Sequence, residues 1–178
     1  VRGDDHVEAV ERLPRRDGQV TEPVVERPDI PPEYGNPTQR LAWADVEERL
    51  ENASVYWIAT TRPDGRPHVI PRDGTWLEGG LYYGGSPETV HYRNITHNPH
   101  VAVHIGDGHE AIIVEGVVEI EKPTKAMAER LSEASFAKYP QYGRLDPNLY
   151  MGGVSVLRPR RVLAWTSFTE NATRFRFE

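Results

Sequence analysis

The sequence predicts a mainly β domain: an antiparallel barrel whose ends are plugged by a few helices. Three observations carry that expectation. Short runs of β-branched and aromatic residues follow one another with turn chemistry between them, as in "VYWIATT", "RPDGR" and "PHVIP". Helical patterns are few, and the longest is the run "PTKAMAERLSEASFAKY". At 178 residues the chain is long enough to bury a core without disulfides or metals.

In chain order, residues 1–40 read as a charged arm. Pro14, Pro23, Pro28, Pro31, Pro32 and Pro37 prevent a continuous helix or a central strand, although "HVEAVERL" can make two helical turns. Residues 41–178 read as the folded domain. "LAWADVEERLEN" places Leu41, Val46 and Leu50 near one helical face. "VYWIATT" and "PHVIP" form a hairpin, and "TWLEGGLYYGG" forms a second one around Glu78-Gly79-Gly80. "SPETVHYRNITHNP" reads as a short helix with Ser86 as N-cap, Pro87 in the first position and Asn98-Pro99 as the stop. "HVAVHI" and "AIIVEGVVEIE" are strands joined through "GDGHE". Thr124 caps the long helix, whose inner face is marked by Met127, Leu131 and Ala134. "GGVSVLRPRRVLAWTSF" is a strand interrupted at Pro159, and "TRFRFE" closes the chain.

Composition excludes several function classes. With no cysteine, disulfides and thiolate metal sites are impossible. No apolar run approaches the ~18 residues of a membrane span. A net charge of −6 without a long basic block argues against a broad nucleic-acid surface. The run "VRGDDHVEAVERL" lacks the apolar core of a signal peptide, so a soluble, cytoplasmic protein is expected. His100 and His104 lie ~13 Å apart on a strand, too far for one ion, and Asn98-Pro99 separates them from His97, so no metal site is expected. No G-x-S-x-G elbow and no G-x-G-x-x-G turn is present.

The stretch "SPETVHYRN" has more to offer. A helix start gathers free N–H groups and the positive dipole end, which favour an anion. Thr89 adds a donor. His91 and Arg93 diverge by about 200° on a regular helix, so they do not share a face. The stretch is open to two readings, an anion-binding turn or a solvated linking helix.

The ordered set "VYWIATTRPDGRPHVIP", "LYYGG", "HYRNITHNPHVAVH" and "VEGVVEI", with the ending "VLAWTSFTENATRFRF", resembles the pyridoxamine 5′-phosphate oxidase-like split-barrel family of flavin- and deazaflavin-binding proteins. The resemblance spans roughly residues 40–178. It implies a six-stranded antiparallel Greek-key split β-barrel with peripheral helices. It also implies a homodimer with cofactor in a groove at its interface. The cofactor is FMN, with the deazaflavin coenzyme F420 as the alternative. By position, the cofactor-contacting strand falls on Ile70, Pro71, Arg72, Asp73, Gly74 and Thr75, and the next strand end on Gly84 and Gly85. The phosphate turn falls on Thr89, His91 and Arg93. Trp165 and Arg174 would come from the other subunit. The implied activity is hydride transfer to or from an unknown small organic substrate.

Two departures matter. Val90 and His91 stand where the family's phosphate turn commonly carries Arg-Lys or Lys, and Arg72 can equally pair with Asp73. Asn171-Ala172-Thr173 stands where the family's oxidases carry an Arg-x-His substrate motif, so oxidation of pyridoxamine phosphate itself is not expected. The rival reading is a non-catalytic carrier or sensor with a degraded phosphate site.

Overall fold

The structure, a computed structural model, describes residues 22–178; the two-turn helix expected over residues 6–13 lies outside them. In chain order come β1 (Val24–Glu26), α1 (Trp43–Asn52), β2 (Tyr56–Thr61), β3 (Pro67–Arg72), β4 (Thr75–Leu77) and β5 (Gly80–Tyr83). Then follow α2 (Val90–His97), β6 (His100–Gly106), β7 (Ala111–Glu121), α3 (Lys125–Lys138), α4 (Pro147–Met151), β8 (Val154–Trp165), α5 (Phe168–Asn171) and β9 (Thr173–Arg176).

All pairings are antiparallel, and the strands run in the order β1-β9-β8-β7-β6-β2-β3, with β5 pairing both β4 and β8. Nine strands take part among the described residues, where the resemblance implied six. The shortest, the three-residue β1 and β4, satisfy backbone groups at the margins of the sheet. One edge of β8 serves two strands. Ser155–Leu157 pairs with β5, and Arg161–Ala164 pairs with β9. That divided edge opens the barrel into a split barrel. Pro159 falls between the two pairings yet does not interrupt β8. The register instead shifts opposite Glu115 and Gly116 of β7, where Arg160 is the extra residue of a bulge in β8.

The hairpin of β2 and β3 shows how local chemistry sets register. The Arg62 N–H donates to the Arg66 carbonyl at 2.9 Å, which makes the next bonded pairs Thr60–His68, Ile58–Ile70 and Tyr56–Arg72. Pro67 and Pro71 therefore fall on unbonded positions, and their missing donors face the free edge of β3. The inner face buries Tyr56, Ile58, Val103, Ile112, Val114 and Phe175 around Trp43, Val46 and Leu50 of α1. Trp43 meets Phe175 edge-on at 5.3 Å.

Two helix expectations change. The α2 N-cap is Thr89, not Ser86: the Thr89 side chain accepts from the Tyr92 N–H at 3.2 Å. Ser86 instead closes a separate turn, accepting from the Glu88 N–H through its hydroxyl and from Thr89 through its carbonyl. Thr124 does cap α3, but that helix buries Ala128, Leu131 and Ser132, leaving Met127 and Ala134 half-buried.

Candidate functional site

β3 ends on Arg72, whose side chain lies on the same face as His68 and Ile70 by the strand period. The guanidinium crosses to the end of β5 and donates through Nη2 to the Gly84 carbonyl. A Cβ at Gly85 would lie 3.0 Å from the same Nη2, whereas a Cβ at Gly84 would meet nothing within 4 Å. Arg72 thus lies along a glycine backbone that opens to solvent on its other side. Its Nε is buried and has no partner among the described residues. At the far end of this loop, exposed Arg93 folds back, and its Nη1 donates to the Glu88 carbonyl at 2.9 Å. Between them the Thr89 hydroxyl donates to the Ser86 carbonyl at 2.9 Å. Two guanidinium groups therefore bracket residues 84–89.

His91 takes no part in this surface. As the 200° divergence from Arg93 requires, it points inward and is 3% exposed. Its Nε2 lies 3.1 Å from the Tyr83 hydroxyl, and its Nδ1 is buried without a partner among the described residues. Burial, reinforced by the charges of Arg72 and His68, holds His91 down at about 4. The ring is neutral at pH 7 and supplies no cation. Burial also pushes the Tyr83 hydroxyl above its ordinary range. One turn on, buried Asn94 donates to Thr60 Oγ1 at 2.9 Å. The spacing of His91, Asn94 and Ile95 is the inward stripe of a helix, a signal that marks Asn94 as a packing residue.

The run from Ile70 to Thr75 is largely engaged within the protein. Ile70 and Arg72 use their backbone groups on β2. The Gly74 N–H donates to the Tyr139 hydroxyl at 3.1 Å, and the Gly74 carbonyl accepts from Lys138 Nζ at 3.1 Å. A Cβ on Gly74 would lie 2.8 Å from Leu81 Cδ1, so glycine is needed for packing at this point. Thr75 is buried opposite Tyr82. Lys138 also donates to the Tyr56 hydroxyl at 2.8 Å, and burial, opposed by Glu51, lowers it to about 8. The sequence carried no signal for these ties from α3. Arg72 and Asp73 form no ion pair: successive strand residues point to opposite faces, and exposed Asp73 lies beside Tyr142 instead.

Trp165 and Arg174 sit at the other side of the sheet, separated from β3 by β2, β6 and β7 in strand order. Trp165 Nε1 donates to the Gly108 carbonyl at 3.1 Å, and its ring meets Phe168 edge-on at 5.3 Å. Arg174 is held by the arm, with Glu26 at 3.0 Å and Asp29 at 3.1 Å. The nearby Asn171 has a structural task, since its Oδ1 accepts from the N–H groups of Thr166 and Ser167, both at 3.0 Å.

A profile of the pyridoxamine 5′-phosphate oxidase family matches residues 42–166. The chain belongs to this family. The matched span runs from the start of α1 to just past β8 and includes the loop bracketed by Arg72 and Arg93. No curated protein matches the chain. Among solved structures it resembles a conserved hypothetical protein from Mycobacterium tuberculosis, with 20% identity over 72% of this chain and 89% of that one and a TM-score of 0.59. It also resembles an FAD-binding protein from Mesorhizobium loti, with 17% identity over 78% and 96% and a TM-score of 0.52. A chain described as an F420 reductase is 29% identical over 65% and 94%, with a TM-score of 0.48. The first two likenesses concern the fold. Among the described residues, no cluster of three metal-binding side chains occurs, and no helix is long and apolar enough to cross a membrane.

Proposed function

We propose that the chain is a flavin-dependent oxidoreductase. It binds FMN with the phosphate on the loop of residues 84–89, and it exchanges hydride between the ring and a small organic substrate. The observation that carries this reading is the Arg72 guanidinium laid along the open Gly84-Gly85 backbone, with Arg93 at the other end of the same loop. A phosphate fits there. Two guanidinium groups flank the loop, Arg72 Nε is a buried donor without an acceptor among the described residues, and the start of α2 adds its positive dipole end. When bound, the flavin supplies the redox chemistry; the chain's residues bind it, orient it and exclude water. His91 acts from beneath, holding the Tyr83 hydroxyl and with it the end of β5. In the run from Ile70 to Thr75, the Pro71 carbonyl faces the free edge and is open to the pyrimidine edge of the ring.

The cofactor-binding unit in this reading is residues 41–178, acting as a homodimer. Strand pairing aligns Pro71, Trp57, His104, Ile113, Leu163 and Arg174 in one row across the outer face of the sheet. Trp57 and Val69 are 41% and 51% exposed on that face. A two-fold contact through it brings Trp165 and Arg174 of one subunit toward Arg72 of its partner. Arg174 arrives already paired to Glu26 and Asp29, so it orients the cofactor more than it neutralises charge. Trp57→Glu places a carboxylate in the contact. The expected result is a halved mass in light scattering with an unchanged circular dichroism spectrum; a dimer that persists would move the interface elsewhere.

Titration with FMN and, separately, with F420 tests the cofactor. FMN is expected to bind at micromolar concentration. Arg72→Ala and Arg93→Ala are each expected to weaken it by about 10-fold or more, as charged hydrogen bonds contribute ~1.5–3 kcal/mol. If neither cofactor binds, the enzyme reading is withdrawn. The neutral His91 is the observation that favours the alternative, a non-catalytic carrier or sensor. A protein that binds FMN but shows no reduction by nicotinamide donors and no substrate turnover would fit that alternative.

A further inference from the structure

A second cavity, apart from the loop of residues 84–89, lies under the arm. Pro28, Ile30, Pro31 and Tyr34 face Leu163 of β8 and Phe168 of α5 around a pocket of about 190 Å³. Its walls are apolar, and among the described residues Asp29 is the only charged one lining it. That carboxylate is already matched by Arg174 at 3.1 Å. Phe168 forms one wall and rests against Trp165, so the pocket adjoins the residue that the proposed flavin site takes from β8.

We infer that this pocket holds the apolar ring of the substrate, a neutral compound with a single aromatic or alicyclic ring. The catalytic meaning of the inference rests on the flavin reading above; the binding itself does not. Size points to one ring: a cavity of about 150 Å³ lined by aliphatic and aromatic side chains accepts benzene, and this one is slightly larger. Charge points to a neutral compound. Among the described residues the lining has no cation to receive a carboxylate or phosphate, and its one carboxylate, Asp29, is paired with Arg174.

The pocket is also held ready. Upstream, Val24–Glu26 pairs with Arg174–Arg176 of β9. Downstream, the N–H groups of Thr38 and Gln39 donate to the Glu170 carbonyl at 2.9 and 3.0 Å, tying the arm to α5. Between these anchors Pro28 and Pro31 restrict the backbone, and a single 3₁₀ turn over Pro32–Tyr34 presents Tyr34. A pocket formed before binding has little ordering cost to offset.

The test uses 4-fluorobenzyl alcohol as a neutral single-ring probe and 4-fluorobenzoate as its anionic counterpart, followed by ¹⁹F NMR with the full chain. The alcohol is expected to bind with a Kd on the order of 1 mM, more tightly than the benzoate. The double variant Ile30→Ala/Tyr34→Ala, altered in the arm alone, is expected to weaken it by about 10-fold, through lost apolar contact. Retained FMN affinity in that variant shows that the fold and the loop of residues 84–89 survive. The inference is overturned if the wild type does not bind the alcohol, if the benzoate binds better, or if the double variant binds the alcohol as the wild type does. A wild type that takes the alcohol but neither FMN nor F420 overturns the flavin reading alone and leaves the pocket as a ligand site.

Discussion

Gly116→Ala is expected to destabilise the protein by about 3 kcal/mol, lowering Tm by roughly 6–12 °C for a chain of this size. Gly116 sits at the bulge where β7 and β8 cross register. A Cβ there would fall 2.1 Å from the Arg158 carbonyl oxygen and 2.8 Å from Leu157 Cδ1. The first obstacle is backbone, so no rotamer change relieves it; the two longest strands must separate. Gly84→Ala is the control, because a Cβ there meets nothing within 4 Å and stability should stay within about 0.5 kcal/mol. Thermal denaturation of the two variants side by side decides the matter. Equal melting temperatures would mean that the β7–β8 bulge adjusts more freely than its geometry allows.

Acid is expected to weaken the fold through His91. Its folded-state pKa, about 4, lies below the ordinary value of 6.5. Between those two values the unfolded chain binds a proton that the folded chain refuses, so stability falls as pH falls. The contribution is fully present above pH 6.5, is lost progressively down to about pH 4, and amounts to about 3 kcal/mol. His91→Gln removes the titrating group and keeps a side chain able to reach Tyr83. Urea denaturation of both proteins at pH 7 and pH 4.5 provides the measurement. Carboxylates shared by the two proteins cancel in the comparison, and the wild type should lose more stability than the variant. Parallel losses would mean that His91 is protonated without cost, and the neutral ring under Tyr83 would then be mistaken. Should an FMN phosphate approach His91 closely, it would raise the histidine pKa and flatten this acid loss.

The hairpin of residues 56–72 was legible in the chain because alternation, turn chemistry and proline placement agreed. The start of α2 was less so. Ser86-Pro87 and Thr89 both carry capping chemistry, and only the stripe of His91, Asn94 and Ile95 decides between them. That stripe also tells that His91 and Arg93 part company. It does not tell that Tyr83 receives His91, since that contact depends on how β5 packs against α2. β1 was hidden because three residues between prolines pair through backbone groups, which leave no mark on side-chain pattern. The same holds for Arg174. Its charge suggested a free anion partner, whereas the arm returns two carboxylates to it across more than a hundred residues of chain.

The prolines of β3 have a bearing on how the molecule behaves in a crowded solution. Among the described residues the sheet ends in the short β1, the short β4 and the longer β3. An incoming strand from another chain would need a row of donors along the free side of β3. Pro67 and Pro71 withhold theirs, and Val69 alone between them can contribute one. Fibre growth by strand addition is therefore blocked at the margin where the proposed cofactor would sit, and the carbonyl groups left there remain open to a small ligand.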